Sequence, residues 1–480
     1  MNDICKFSGV QQARMIREKQ LSPIEVVDAA LEQIEALDPV LHAFCTVDAE
    51  EAREAAKKAE AQVMQGETEG KPLLGVPFSV KDMICTKGMR TTFGSKAYEN
   101  YIPDCDDIAV ARMKAAGAIL IGKTNTPEFA YEGVSRNKVF PETVNPWDIT
   151  KTCGGSSGGS AVAAATGMTA LTLGNDGGGS VRIPTSFCGV YGIKPSFGRV
   201  PLFPGCRDPR WPGGSSWEGL EVIGPITRCV EDAALMMSVL AGPDPMDRHC
   251  LPAENIDWMG AMKRPEVKGL RIAYWSHFSY CTVDPAVSKV LAQAVEAFRQ
   301  MGAVVEEVEP PITEDPGDAF WAVVAANSDL TGMRKLAAEY GGEMGACVRN
   351  FVNRIWTAEQ LTDAHFVRQK VNMQIRTFMK DYDLLLTPTL TTTAFDLGLD
   401  DPAPVHGWTP DAGWTSFTFP FNLTGQPAAT VPAGFTEDGL PVGLQIVGQP
   451  FGEAAVLRAS AAFEHHSDWR DIWPELVTKA

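Results

Sequence analysis

The chain of 480 residues predicts an α/β fold built on a mixed β-sheet, and two stretches carry that expectation. Residues 270–274 form an apolar run of strand length. Asp284-Pro285 then opens a helix that Gly302 stops, and residues 303–308 are a second apolar run. Strand, helix and strand in this order pair in parallel through a right-handed crossover. Residues 431–435 and 442–447 instead flank Asp438-Gly439, a hairpin signal, so the sheet is also antiparallel in part.

The other elements follow in order. Ser22-Pro23-Ile24-Glu25 is a capping box with proline at the first helical position, and apolar residues at helical spacing extend the helix through Leu37. Residues 50–65 are an Ala/Glu/Lys-rich surface helix. Residues 73–80 are an apolar run that carries Lys81 at its end. Residues 108–116 read as a helix stopped by Gly117, followed by a short strand at 118–121. Two Gly/Ser clusters then stand close together, at 154–160 and 177–180. Between them Ser160 is positioned to cap an Ala-rich helix over 161–166, with a strand at 169–173 and a turn at 174–176. Residues 202–217, LFPGCRDPRWPGGSSW, form a long loop of aromatics among Pro and Gly. Residues 311–318 connect into helices that run to about 382. No internal repeat or low-complexity linker divides the chain, so residues 1–480 are expected to be a single domain.

Composition narrows the function. Sixty Asp plus Glu against 42 Lys plus Arg leave a net charge of -18, which repels phosphate backbones and disfavours a nucleic-acid partner. Eleven cysteines without a C-x-x-C pair suggest neither a disulfide framework nor a zinc site, and fit a reducing cytoplasm. No segment approaches the roughly 18 consecutive apolar residues of a membrane span, and no apolar run follows the charges at the start of the chain, so no membrane association or export is expected.

Two literal motif matches fail on context. Gly117 to Thr124 fits the phosphate loop G-x-x-x-x-G-K-[ST], but its four central positions are themselves a strand and Pro127 follows, where the motif needs a strand before it and a helix after. Gly154-Gly-Ser156-Ser-Gly158 fits the nucleophile elbow G-x-S-x-G. The preceding NPWDITKTC is no buried strand, and none of the seven histidines can be assigned as its base.

The two Gly/Ser clusters have a chemical logic of their own. Consecutive glycines leave backbone N–H groups uncovered and free to converge on a developing oxyanion. With Lys81 in GVPFSVKDM, Ser156 and Ser180 in GGSSGGS and NDGGGSVR, LLLTPT at 384–389 and PFNLTGQPA at 420–428, nearly the whole chain resembles the amidase signature family, serine hydrolases of amides. The resemblance implies that Ser180 is the nucleophile, Ser156, after a cis peptide bond, the bridging serine, and Lys81 the base. It also implies that the backbone of Gly177, Gly178, Gly179 and Ser180 forms the oxyanion hole, and that helices cover both faces of the sheet. No metal and no cofactor are implied. A lysine can take the proton of Ser180 through Ser156 if burial keeps its amine neutral. Asn175 and Gly177 depart from the family, which usually has Thr at the first and Thr or an aliphatic residue at the second.

Asp176 and Arg182, around the nucleophile, read as a structural ion pair, and Cys153 and Cys188 as small packing residues. Phe129 and Tyr131, with Phe203, Trp211 and Trp217, are placed to line one cleft over Ser180. Loop 202–217 and the helical segment 313–382 are then its walls. The expected activity is hydrolysis of an aryl or hydrophobic amide, ester or carbamate, by a monomer or homodimer. The alternatives are the glutaminase component of a tRNA-dependent amidotransferase and, from another class, a catalytically inactive ligand-binding protein.

Overall fold

A computed structural model describes residues 2–204, 210–214, 217–404, 413–467 and 469–479. The chain opens with α1 (Gly9–Arg17), α2 (Pro23–Leu41), β1 (Phe44–Val47), α3 (Ala49–Gln65), β2 (Pro77–Lys81), α4 (Ile108–Ala115) and β3 (Ile119–Thr124). Its middle contains α5 (Gly158–Ala165), β4 (Leu171–Asp176), α6 (Arg182–Cys188), β5 (Tyr191–Lys194), β6 (Val222–Thr227), α7 (Val230–Leu240) and α8 (Gly260–Lys263). After β7 (Arg271–Tyr274), α9 (Pro285–Gln300) and β8 (Val304–Glu307) come four consecutive helices: α10 (Gly317–Ala326), α11 (Leu330–Tyr340), α12 (Ala346–Asn353) and α13 (Ala358–Phe378). The chain finishes with β9 (Leu384–Pro388), α14 (Pro420–Leu423), β10 (Ala428–Phe435), β11 (Pro441–Gly448), α15 (Glu453–Ser467) and α16 (Glu475–Lys479).

Local chemistry accounts for the element ends. Glu25 accepts the Ser22 N–H at 2.8 Å while Ser22 Oγ accepts the Ile24 N–H at 3.0 Å, which closes the start of α2. Asp284 accepts the Ala286 N–H at 2.8 Å and Pro285 fills the first position of α9.

All the described strands join one sheet of eleven, in the order β1-β3-β2-β4-β6-β5-β10-β11-β9-β7-β8. β2 lies parallel to both β3 and β4, and β7 is parallel to β8 and β9. The remaining pairs are antiparallel, including the β10–β11 hairpin. The sheet is mixed and helices cover both of its faces. α5 packs on β2, β4 and β6 and against α6, which continues over β5, β10 and β11, while α15 packs on β10 and β11 and against α7 and α9. Among the described residues no helix is long and apolar enough to cross a membrane.

Two local expectations are corrected. The Ala-rich helix begins at Gly158, and Ser160 lies inside it, bonded to Thr124 Oγ1 at 2.7 Å and donating to Leu173 O at 3.2 Å. Tertiary partners replace the cap: the Gly158 N–H donates to Ser135 Oγ at 3.1 Å and the Gly159 N–H to Asn125 O at 3.2 Å. Residues 174–176 continue β4 instead of turning, because β6 supplies ladder partners out to Asn175–Ile223 and Asp176–Val222. Their polar side chains are accepted in a buried strand because each finds a buried partner, as described next.

The rejected phosphate-loop match lies in β3. Its Lys123 is fully buried and donates to Ile84 O, to Thr86 Oγ1 at 2.9 Å and to Thr91 Oγ1 at 3.1 Å, so the amine is committed to carrying the loop after β2. Burial pulls its pKa down to about 8, against the attraction of Asp82.

Candidate active site

Parallel pairing brings the carboxyl ends of β2 and β4 side by side, which delivers Lys81 and Asn175 to one place. Lys81 and Ser156 are fully buried, and Lys81 Nζ donates to Ser156 Oγ at 2.6 Å. The same amine donates to Asn175 Oδ1, whose Nδ2 donates in turn to Glu221 Oε1. Glu221 precedes β6, and its N–H donates to Trp217 O at 3.0 Å.

The two Gly/Ser clusters meet through the backbone. The peptide bond between Gly155 and Ser156 is cis, and the Ser157 N–H donates to Ser180 O at 3.1 Å. Ser180 is half-buried at the mouth of α6. Asp176 and Arg182 bracket it as the ion pair read from sequence, both fully buried, with Arg182 Nη2 donating to Asp176 Oδ1 at 2.9 Å and Nε to Oδ2 at 3.0 Å. Burial opposes a charged Asp176, but the adjacent guanidinium overrides it and holds the carboxyl down at about 2. Arg182 also donates to Thr418 O at 2.8 Å, Gln445 Oε1 at 2.7 Å and Asn422 Oδ1 at 2.7 Å.

The backbone of the second cluster is divided. Asp176 accepts the N–H of Gly179 at 2.9 Å and of Val181 at 3.1 Å. Gly179 therefore donates into the protein, a correction to its place in the expected oxyanion hole. Gly177, Gly178 and Ser180 carry the other N–H groups of the loop. Gly179 has φ +136, a conformation that L side chains rarely adopt, and a Cβ on Gly177 would lie 2.3 Å from the Trp217 ring.

Ser180 and Gly178 line a cavity of about 240 Å³ whose aromatic side consists of Tyr131, Trp217, Phe320, Trp321 and Phe419. Tyr131 and Trp217 meet edge to face at 5.2 Å, and Trp217 contacts Phe320 in the same way at 6.1 Å. Two of the five aromatics expected from sequence thus face this cavity. Phe129 and Trp211 belong to the same apolar cluster but stand behind the wall, Phe129 edge-on to Tyr98 at 6.1 Å and Trp211 against Tyr101 at 5.3 Å. Phe203 lies elsewhere, before a cis bond to Pro204, with its carbonyl accepting the Ile108 N–H at 3.0 Å. Residues 205–209, 215 and 216 of the expected wall lie outside the described residues.

Phe320 and Trp321 on α10, Phe419 before α14 and Ile183 on α6 were not singled out as cavity residues in the sequence. The first two lie in the segment 313–382 that was expected to form a wall, without being named there. Cys153 and Cys188 are buried and burial pushes both thiols up, as packing residues require. Among the described residues no group of His, Cys, Asp or Glu is arranged to hold a metal ion.

The α/β sheet thus sets a buried lysine against one serine, beside a second serine on a glycine loop at the edge of an aromatic cavity. The family model Amidase matches residues 25–457, and the chain belongs to this family, the amidase signature enzymes, which hydrolyse carbon–nitrogen bonds. It is 37% identical to a component of the glutamyl-tRNA(Gln) amidotransferase of Moorella thermoacetica, over 96% of this chain and 97% of that one. It is 36% identical to an acylamidase of Rhodococcus erythropolis, over 98% of this chain and 97% of the relative. The crystal structure of a bacterial aryl acylamidase superposes with a TM-score of 0.89 at 30% identity, covering 98% of this chain and 99% of the other.

Proposed function

We propose that this amidase cleaves aryl or hydrophobic amides, with carbamates and esters of similar shape, through an acyl-enzyme on Ser180. The observation that carries the reading is the buried contact between Lys81 Nζ and Ser156 Oγ, placed beside the loop that presents Ser180 to an aromatic cavity. In the proposed sequence the Ser180 proton passes to Ser156 as the Ser156 proton passes to Lys81. Ser180 Oγ then attacks the acyl carbon. The N–H groups of Gly177, Gly178 and Ser180 are the donors available to the oxyanion. Collapse breaks the C–N bond, the amine leaves with the proton held on Lys81, and water releases the acid by the same route in reverse.

The expected outcome of Ser180→Ala is complete loss of anilide hydrolysis, while Ser156→Ala and Lys81→Ala retain slow residual rates, because removing a proton relay slows a route that removing the nucleophile abolishes. Near wild-type turnover in folded Ser180→Ala protein overturns the assignment of Ser180 as nucleophile, whereas folded wild-type protein that turns over no amide favours a ligand-binding protein.

The identity to an amidotransferase component supports a second reading, a glutaminase that works with partner chains. Cavity chemistry argues against it. Glutamine brings an α-carboxylate that calls for a cationic partner, and the described lining contains Glu132 and Asp315 but no Lys or Arg. We expect kcat/KM for an anilide to exceed that for glutamine at least about tenfold, and Trp217→Ala to erode the preference, since a well-buried ring contributes roughly 1–3 kcal/mol to binding. A glutaminase rate above every anilide rate would reverse this assignment. The acidic balance of the chain and its cysteines, spaced without a C-x-x-C pair, fit a small-molecule enzyme of the cytoplasm.

A further inference from the structure

We propose that Asn175 and Glu221 are positioning residues that turn the lone pair of Lys81 toward Ser156. The inference rests on the Ser180–Ser156–Lys81 reading and goes beyond it.

A neutral lysine amine has two N–H groups and one lone pair, and only the lone pair can receive the serine proton. An amide oxygen accepts and never donates. The protonated amine donates to both Asn175 Oδ1 and Ser156 Oγ; once neutral it still gives an N–H to Asn175 Oδ1, which can only accept, so the Ser156 contact is the one left to its lone pair. An amide turned by 180° would present Nδ2–H to the amine and block the acceptor the mechanism needs. Glu221 prevents that turn, because an ionised carboxylate only accepts and so selects Nδ2 as its neighbour.

Burial strengthens the device. Asn175 and Glu221 are 4% and 5% exposed and Lys81 and Ser156 0%, so little water competes for these atoms. A hydroxyl in place of the Asn175 amide would both donate and accept, and the Asn–Glu pair removes that ambiguity.

The other charged groups around this point are engaged. On β4 Asp176 is paired with Arg182, and after β2 Asp82 accepts from Thr92 Oγ1 at 2.5 Å and from the Thr92 N–H at 3.0 Å. On β3 Lys123 is bonded to Ile84, Thr86 and Thr91. On α13 Arg368 holds the turn before β6, donating to Gly219 O at 2.7 Å and to Leu423 O at 2.8 Å.

The test is the second-order rate at which a fluorophosphonate labels Ser180, followed from pH 5 to pH 10. It reads activation of the serine without depending on the amide substrate. Glu221→Ala should lower the rate about tenfold or more at every pH, and Glu221→Gln, which keeps a carbonyl acceptor in the same place, should recover most of it. The double variant Asn175→Asp/Glu221→Gln moves the negative charge one side chain closer to Lys81 and keeps the shape. It should shift the acidic limb of the profile upward by about one pH unit or more, because a carboxylate in contact favours the protonated amine. Folding of each variant is checked by its melting temperature. If folded Glu221→Ala and the double variant label at the wild-type rate with an unshifted limb, while Ser180→Ala is not labelled, the positioning role is wrong and the hydrolase reading stands. Wild-type protein that fails to label overturns both.

Discussion

Gly177 shows how one missing side chain shapes the cavity. The space that a threonine or aliphatic residue would fill is taken by the Trp217 ring, 2.3 Å from the position of a Cβ. Gly177→Thr should therefore displace the ring, lower stability by about 1–3 kcal/mol and reduce kcat/KM for aryl amides. Adding Trp217→Ala should restore stability but not the aryl preference, which denaturant melts and a substrate panel will show. Asp176 and Arg182 act at the same scale. Arg182→Met leaves a buried carboxylate without its counter-charge and should cost about 3–5 kcal/mol. The sign of the acid dependence follows from the depressed carboxyl: with about 2 in the folded state against 3.8 unfolded, its stabilisation is present in full above about pH 4 and is lost as pH falls through 2. It amounts to roughly 2 kcal/mol and should be absent from acid unfolding curves of an Asp176→Asn variant.

At the scale of elements, α7 is held by two carboxyl groups of the opposite sense. Asp232 accepts the N–H groups of Gly9 and Val10 at 2.8 and 2.9 Å, and Glu464 of α15 accepts the N–H of Val230 at 3.0 Å. Burial pushes Asp232 up to about 6 and Glu464 up to about 7. A raised carboxyl stabilises the fold below its unfolded value and loses that contribution as pH climbs through its folded value. Glu464→Gln should therefore gain on the wild type between about pH 4.5 and 7, by up to about 3 kcal/mol, in urea melts at a series of pH values. The same scale shows where sequence patterns were enough. Capping chemistry at Ser22 and Asp284 is local, and those helices start where the residues say. The end of β4 is different: Gly174, Asn175 and Asp176 have turn composition, and only β6, Lys81, Glu221 and Arg182 make a strand of them. The start of α5 depends likewise on Ser135 and Asn125.

For the molecule as a whole, the mixed sheet was legible because its parallel and antiparallel signals are short-range, and the meeting of Lys81 with Ser156 and of the two Gly/Ser clusters was legible because three segments resemble one family. The cavity was not. Tyr131, Trp217, Phe320 and Phe419 come together only through the tertiary fold, and nothing in their local sequence separates them from Phe129 and Trp211, which pack one layer behind. The contacts of Arg182 have a consequence for biosynthesis. This side chain joins the loop of Ser180 to Thr418, Asn422 and Gln445, partners 236, 240 and 263 residues further along the chain. At a synthesis rate of about 5–20 residues per second, the serine loop waits on the order of 10 to 50 seconds after its own translation before Gln445 exists to hold it. A ribosome-bound chain ending before β11 should thus resist labelling by a serine-directed probe, and labelling should appear only when the last strands have left the exit tunnel, so prematurely terminated products would be released as inert protein.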